Sequence, residues 1–139
     1  MLSRSIASLK RTHPNLPFEV VRIPAPADPI MGLLEKARMA ELSPFDETLF
    51  LDADTVVLDD LDFGFRHAQK TGVACCICEA PWARRYTGLP NDDAIEYNTG
   101  LLFFTKAAAP VFSHWQSLAT TIDSSIVFRA ADGRIARML

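Results

Sequence analysis

"TLFLDADTVVLDD", residues 48–60, decides how this chain is read. Residues 48–51 are strand-like and mostly apolar, and they run straight into Asp52, with Asp54 two positions later. A buried carboxylate is costly unless something pairs with it. Two carboxylates at the mouth of a buried strand therefore point to a cation, to a phosphate-bearing substrate held through a cation, or to a nucleophile. Residues 48–51 are apolar on both faces, which predicts a central parallel strand covered on both sides.

Working outward, the pattern alternates between helix and strand. Upstream, Leu2, Ile6 and Leu9 recur at helical spacing over residues 2–11, "HPNLP" (13–17) breaks the pattern, and "FEVVRI" (18–23) reads as a strand. A proline-rich loop at 24–29 leads to a helix over 30–42, with Leu33, Ala37 and Ala40 along one stripe and Pro44 stopping it. Downstream, a short helix is expected near 60–70 and a buried strand at "GVACCIC" (72–78). A long loop follows at 79–97, then a strand at "LLFFT" (101–105) and a helix at 106–121, with Pro110 tolerable only near its first turn. The tail gives a short strand and a turn at Asp132-Gly133. Strands alternating with helices indicate an α/β fold with a mostly parallel sheet flanked by helices. Ligands in such sheets bind beyond the C-terminal strand ends, which is where Asp52 and Asp54 stand.

Composition narrows the function. The chain has 139 residues, of which 49% are apolar and 22% charged, consistent with a single globular domain. The net charge of −3 and the lack of a basic tract argue against nucleic acid as a partner. No apolar run reaches the ~18–20 residues of a membrane span. The stretch at 1–14 lacks the continuous apolar core of a signal peptide. Cys75, Cys76 and Cys78 are crowded and odd in number, which fits a reducing, cytoplasmic setting and small hydrophobes in a buried strand better than a disulfide framework or a zinc site.

An Asp-x-Asp triplet alone is weak evidence, since about one is expected by chance in a chain of this composition. A second triplet, Asp60-Leu61-Asp62, follows no apolar strand and reads as a helix cap with a favourable dipole contact. The first differs by position. Two side chains one residue apart point the same way only while the chain stays extended. Held so, Asp52 and Asp54 offer the hard oxygen ligands that suit Mg²⁺ or Mn²⁺. The plain alternative is a pair of turn residues capping main-chain amides.

The run 36–65, "KARMAELSPFDETLFLDADTVVLDDLDFGF", resembles the central block of GT-A-fold, nucleotide-sugar-dependent glycosyltransferases, nearest to the family 8 type. There a basic residue on a helix precedes an apolar strand ending in Asp-x-Asp. "EYNTGLLFF" (96–104) resembles their second landmark, an Asn-Ser/Thr-Gly before an apolar strand, and the helix from Lys106 has the family's look. The resemblance covers roughly residues 5–120. It implies a GT-A-like, Rossmann-like domain over 1–139 that lacks the usual first strand and C-terminal part. It also implies a metal-dependent transferase moving a sugar from a nucleotide-diphosphate sugar, a UDP-sugar by preference, to a hydroxyl acceptor. Asp52 and Asp54 would hold Mn²⁺ or Mg²⁺ and the diphosphate, with Ala53 between them in the cofactor-binding segment. Lys36 would lie near the donor sugar or phosphates. Asn98, Thr99 and Gly100 would line the catalytic, sugar and acceptor side. The family's late His-containing metal motif has no match in 116–139.

Two other readings compete. "FLDADTVV" also resembles the first motif of haloacid-dehalogenase phosphohydrolases, in which Asp52 would be the nucleophile and Asp54 the acid/base. That pair normally lies near the chain start, before a Gly-rich flap. A GT-A remnant kept only for partner binding is the third. Around the motifs, Asp92 and Asp93 are candidates for an acceptor hydroxyl, Trp82 and Tyr86 for sugar stacking, and Arg84 and Arg85 for phosphate, each with a plain surface or packing alternative. Asn98-Thr99-Gly100 reads otherwise as a turn before a strand. His13, His67, His114 and Trp115 suggest nothing catalytic.

Overall fold

A computed structural model describes residues 1–24, 34–78, 85–86, 94–95, 97–119, 126–129 and 135–138. The chain divides into two compact units, residues 1–20 with 43–109 and residues 21–42 with 110–139.

The first unit holds the sheet. It opens with helix α1 (Leu2–Thr12), whose C-terminal turn carries Lys10 and Arg11 against the helix dipole. Strand β1 (Glu47–Leu51) leads through the loop 52–61 to helix α2 (Asp62–Thr71), and strand β2 (Val73–Ile77) follows. Gly72 ends α2 with φ +85°, a conformation that favours glycine, and its N–H closes on the Ala68 carbonyl at 2.7 Å. Two-residue strands β3 (Arg85–Tyr86) and β4 (Ala94–Ile95) pair with each other, and β5 (Tyr97–Thr105) completes the unit's strands.

β5 lies in the middle of a three-stranded sheet of order β1-β5-β2 and is antiparallel to both neighbours. The described ladders thus correct the expectation of a mostly parallel sheet. β1 and β2 do run in the same direction, joined by α2, but the returning strand β5 is inserted between them, as in a split βαβ unit. Hydrophobic periodicity carries no information about which strand pairs with which, so this insertion was not legible locally.

Burial follows the order. Leu102, Phe103 and Phe104 of β5 are buried, whereas β1 buries only Thr48 and leaves Leu49, Phe50 and Leu51 half-buried. β1 is therefore an edge strand among the described residues, not the covered central strand expected. β2 is likewise an edge, and Cys75, Cys76 and Ile77 are exposed. The cysteine strand is not the buried one its composition predicted. α2 packs on the sheet so closely that a Cβ on Gly64 would overlap the Phe103 ring, and Phe65 meets that ring edge-on at 5.1 Å.

Other expectations shift at the ends. Residues 18–24 form no strand, and Phe18, Val21 and Ile23 are exposed. α1 buries Ser5 and Ser8 rather than its apolar stripe, and Leu2, Ile6 and Leu9 are half-buried. β5 begins at Tyr97, four residues ahead of the predicted strand, so Asn98-Thr99-Gly100 lies inside a strand and not in a turn before one.

The second unit begins at residue 21. Its described helical segment is a 3₁₀ turn (Glu35–Arg38) running into one α-turn, α3 (Met39–Leu42), which stops two residues before Pro44. Of the predicted stripe, Ala37 is buried and Ala40 half-buried, Met39 is buried as well, and Leu33 lies outside the described residues. Helix α4 (Ala109–Ala119) carries Pro110 at its second position, where the missing N–H costs nothing. Gln116 of α4 donates to the Ala37 carbonyl at 3.1 Å and to Glu41 at 2.8 Å. Strands β6 (Ile126–Arg129) and β7 (Ile135–Met138) form an antiparallel pair. No helix among the described residues is long and apolar enough to cross a membrane.

Candidate functional site

The two sequence landmarks meet at one end of the sheet. β1 and β5 stay paired as far as Leu51 and Leu101, and Asp52 then donates its N–H to the Gly100 carbonyl at 2.9 Å. On the other side of β5 the ladder with β2 jumps: Cys75 faces Leu102 but Cys76 faces Asn98. Thr99, Gly100 and Leu101 thus bulge from the β2 ladder where Asp52 leaves β1. Bulges of this kind re-aim side chains and are common beside active sites.

The bulge sets the local geometry. Asn98 Oδ1 accepts the Gly100 N–H at 2.7 Å, which turns its amide oxygen back over the strand. The Asp52 carboxylate folds over the same glycine. A Cβ on residue 100 would lie 2.9 Å from Asp52 Oδ2 and 3.1 Å from Asn98 Oδ1. Gly100 has no positive φ to explain it, so what the glycine provides is room. The carboxylate and the amide oxygen share the space above its Cα. Two oxygen acceptors, one of them charged, suit a cation or a hydroxyl donor and repel an anion.

Asp54 has a different setting. Thr55 donates its N–H to the Asp52 carbonyl at 3.0 Å, so residues 52–55 form a turn with Ala53 and Asp54 at its centre, both exposed. The extended backbone that would aim Asp52 and Asp54 alike ends at Asp52. Among the described residues, no further His, Cys, Asp or Glu completes a three-membered cluster with this pair. Lys36 sits half-buried on the 3₁₀ turn of the second unit. The candidates Trp82, Arg84, Asp92 and Asp93, and the side chains of Arg85 and Tyr86, lie outside the described residues.

The loop carrying the acids is held from below by Ser8 of α1 and by His13, the residue that caps the helix C-terminus. Ser8 Oγ donates to the Ser5 carbonyl at 2.7 Å and accepts the Val57 N–H at 2.9 Å. His13 Nε2 accepts the Leu61 N–H at 3.1 Å. The available signal was the small polar stripe Ser5, Ser8 and Thr12 on an otherwise amphipathic helix. The second Asp-x-Asp behaves as a cap. Asp60 Oδ1 accepts the Asp62 N–H at 2.7 Å as α2 begins. That hydrogen bond, with help from His13, holds the Asp60 carboxyl below the ordinary carboxylate range despite some desolvation. His13, Asp60 and Asp62 bring their ligand atoms within 4.8 Å of one another, but the His13 nitrogen and an Asp60 oxygen already take main-chain amides.

A separate cleft of about 370 Å³ lies between α2 and the sheet, lined by Phe63, His67, Ala74, Cys76 and Leu101 among others. It is apolar and does not include Asp52. Although Cys75 is exposed, partial desolvation by its surroundings, and then the neighbouring Cys76 thiol, pushes its thiol up, away from the reactive thiolate form. His67 meets the Phe63 ring at a tilt, with ring centroids 4.3 Å apart. Trp115 packs on Phe112 in the second unit, and His114 is exposed.

None of the protein-family models, curated proteins or solved structures compared with the chain matches it.

Proposed function

We propose that the chain is a GT-A-like, metal-dependent glycosyltransferase domain that takes a nucleotide-diphosphate sugar, a UDP-sugar by preference, and passes the sugar to a hydroxyl acceptor. The observation that supports this reading is the meeting of Asp52 with Asn98 and Gly100. Two motifs almost 50 residues apart in sequence converge at the C-terminal end of β1, and a bare glycine makes room for their oxygens. A haloacid-dehalogenase nucleophile needs Asp52 beside a phosphate, and nothing in that chemistry calls for an Asn oxygen and a glycine under the carboxylate.

The donor set fits a divalent cation. Asp52 would be the principal ligand, and Asp54, on the exposed turn, would reach the cation or the diphosphate as its side chain reorients. When bound, Mn²⁺ or Mg²⁺ offsets the negative charge that develops on a departing nucleoside diphosphate. Asn98 orients a donor or acceptor hydroxyl through its amide, and Gly100 keeps the space open. Calorimetric titration with UDP-glucose, with and without MnCl₂, tests the reading. Cation-dependent binding that Asp52→Asn abolishes supports it. Binding that is cation-independent, or unchanged in the variant, refutes it.

A further inference from the structure

We propose that His13 is a proton-operated latch on the loop that presents Asp52 and Asp54: the neutral imidazole holds the Leu61 amide, and protonation releases it. The proposal concerns regulation of the candidate site, so its functional meaning rests on the reading above, while the latch itself stands on geometry alone.

The ring's tautomer follows from its partners. Thr12 Oγ1 lies 3.1 Å from the Ser8 carbonyl and 3.2 Å from the Leu9 carbonyl, so its one hydrogen is directed at the helix. It can then only accept from His13 Nδ1, which is 2.9 Å away. With the proton on Nδ1, Nε2 presents a lone pair, and the Leu61 N–H fills it at 3.1 Å. The ring is only 15% exposed. It is thus set as a neutral acceptor between the end of α1 and the start of α2.

Adding a proton to Nε2 sets two N–H groups against each other. The imidazolium must give up Leu61 and turn to Asp60, whose Oδ1 already lies 3.5 Å away. Asp60 and Asp62 are the acids that face the ring from the loop and from α2, and the helix it caps carries the cations Arg4, Lys10 and Arg11, the latter two in its last turn. The new contact does not replace the old one. Asp60 is 64% exposed and its Oδ1 is already committed to the Asp62 amide, so the exchanged pair lies in solvent and contributes little. The second clamp on the same loop, Ser8 to the Val57 amide, contains no titrating group. Acid therefore loosens the α2 end of the loop and leaves its middle held.

Amide hydrogen exchange on the whole chain, without nucleotide or cation, tests this. After correction for intrinsic rates, protection of the Leu61 amide should fall roughly two- to tenfold, the weight of one hydrogen bond, as pH drops through the imidazole's titration. Val57 should not change over the same interval. In His13→Gln the side-chain oxygen still accepts the Leu61 N–H but cannot titrate, so the pH dependence should disappear. Ring ¹⁵N shifts of the unmutated protein should show the Nδ1–H form above the titration. Leu61 protection that stays flat, that falls equally in His13→Gln, or a ring found as the Nε2–H tautomer would overturn the latch. Loss of cation-dependent UDP-sugar binding alone would sink the transferase reading and leave the latch intact.

Discussion

Gly100→Ala separates the site from the fold. The new Cβ would lie 2.9 Å from Asp52 Oδ2 and 3.1 Å from Asn98 Oδ1, whereas carbon and oxygen settle at about 3.3–3.6 Å. The carboxylate must therefore move by roughly half an ångström, at an off-rotamer cost of about 0.5–1.5 kcal/mol. Against this, alanine in a strand is favoured over glycine by roughly 0.5–1 kcal/mol. The two nearly cancel, so the urea midpoint should hold, with net stability changed by no more than about 1 kcal/mol. Cation binding should not escape so lightly. Displacing a ligand or its support typically costs about 10–100-fold in metal affinity, and calorimetric titration with MnCl₂ and UDP would read that loss. Unchanged stability together with unchanged affinity would show that the space over Gly100 does not serve a site, and the reasoning would fail.

Gly64→Ala should destabilise the first unit by about 1–2 kcal/mol, because overpacking against buried Phe103 outweighs the helix-propensity gain. Phe103→Leu in the same chain should recover part of that in a double-mutant urea cycle. Ser8→Ala strands the N–H of Val57, which is 5% exposed, and should cost about 1–3 kcal/mol by chemical denaturation. Acid stability follows the carboxylates. Asp60 is held low chiefly by the Asp62 amide, Asp46 by Lys106, and Glu41 by Gln116 and then Arg38. Each depressed value contributes stability that is complete above the ordinary carboxylate range and is lost as pH falls through the lowered values. Asp46→Asn and Asp60→Asn should therefore flatten the acid limb of a denaturation-against-pH curve, and an unaltered limb would contradict the assignments.

The sequence carried the local elements and little of their assembly. α1, β1, α2, β2 and α4 stand close to where the periodicity and the breakers at Pro14 and Pro44 put them, because those signals act over a few residues. The insertion of β5 between β1 and β2 depends on pairing across more than 20 residues of chain, which no local pattern encodes. That insertion made two expected core strands into edges and put Cys75 and Cys76 at the surface. Within the candidate site, Asp52 was legible from its place after an apolar strand, and Asn98 and Gly100 from the second landmark. Their contact was not, nor was the turn that takes Asp54 out of line. The amide-accepting roles of Ser8 and of His13, expected only to be non-catalytic, were not legible, because accepting from a distant amide leaves no mark in a side chain's own neighbourhood.

Paramagnetic broadening by Mn²⁺ tests the central claim most directly. In a ¹⁵N-labelled sample titrated with substoichiometric MnCl₂ and UDP, the amide signals of Asp52, Asp54, Asn98 and Gly100 should disappear first and together, and return with EDTA. Broadening centred on Asp60 and Asp62, or spread evenly over the surface acids, would contradict the account.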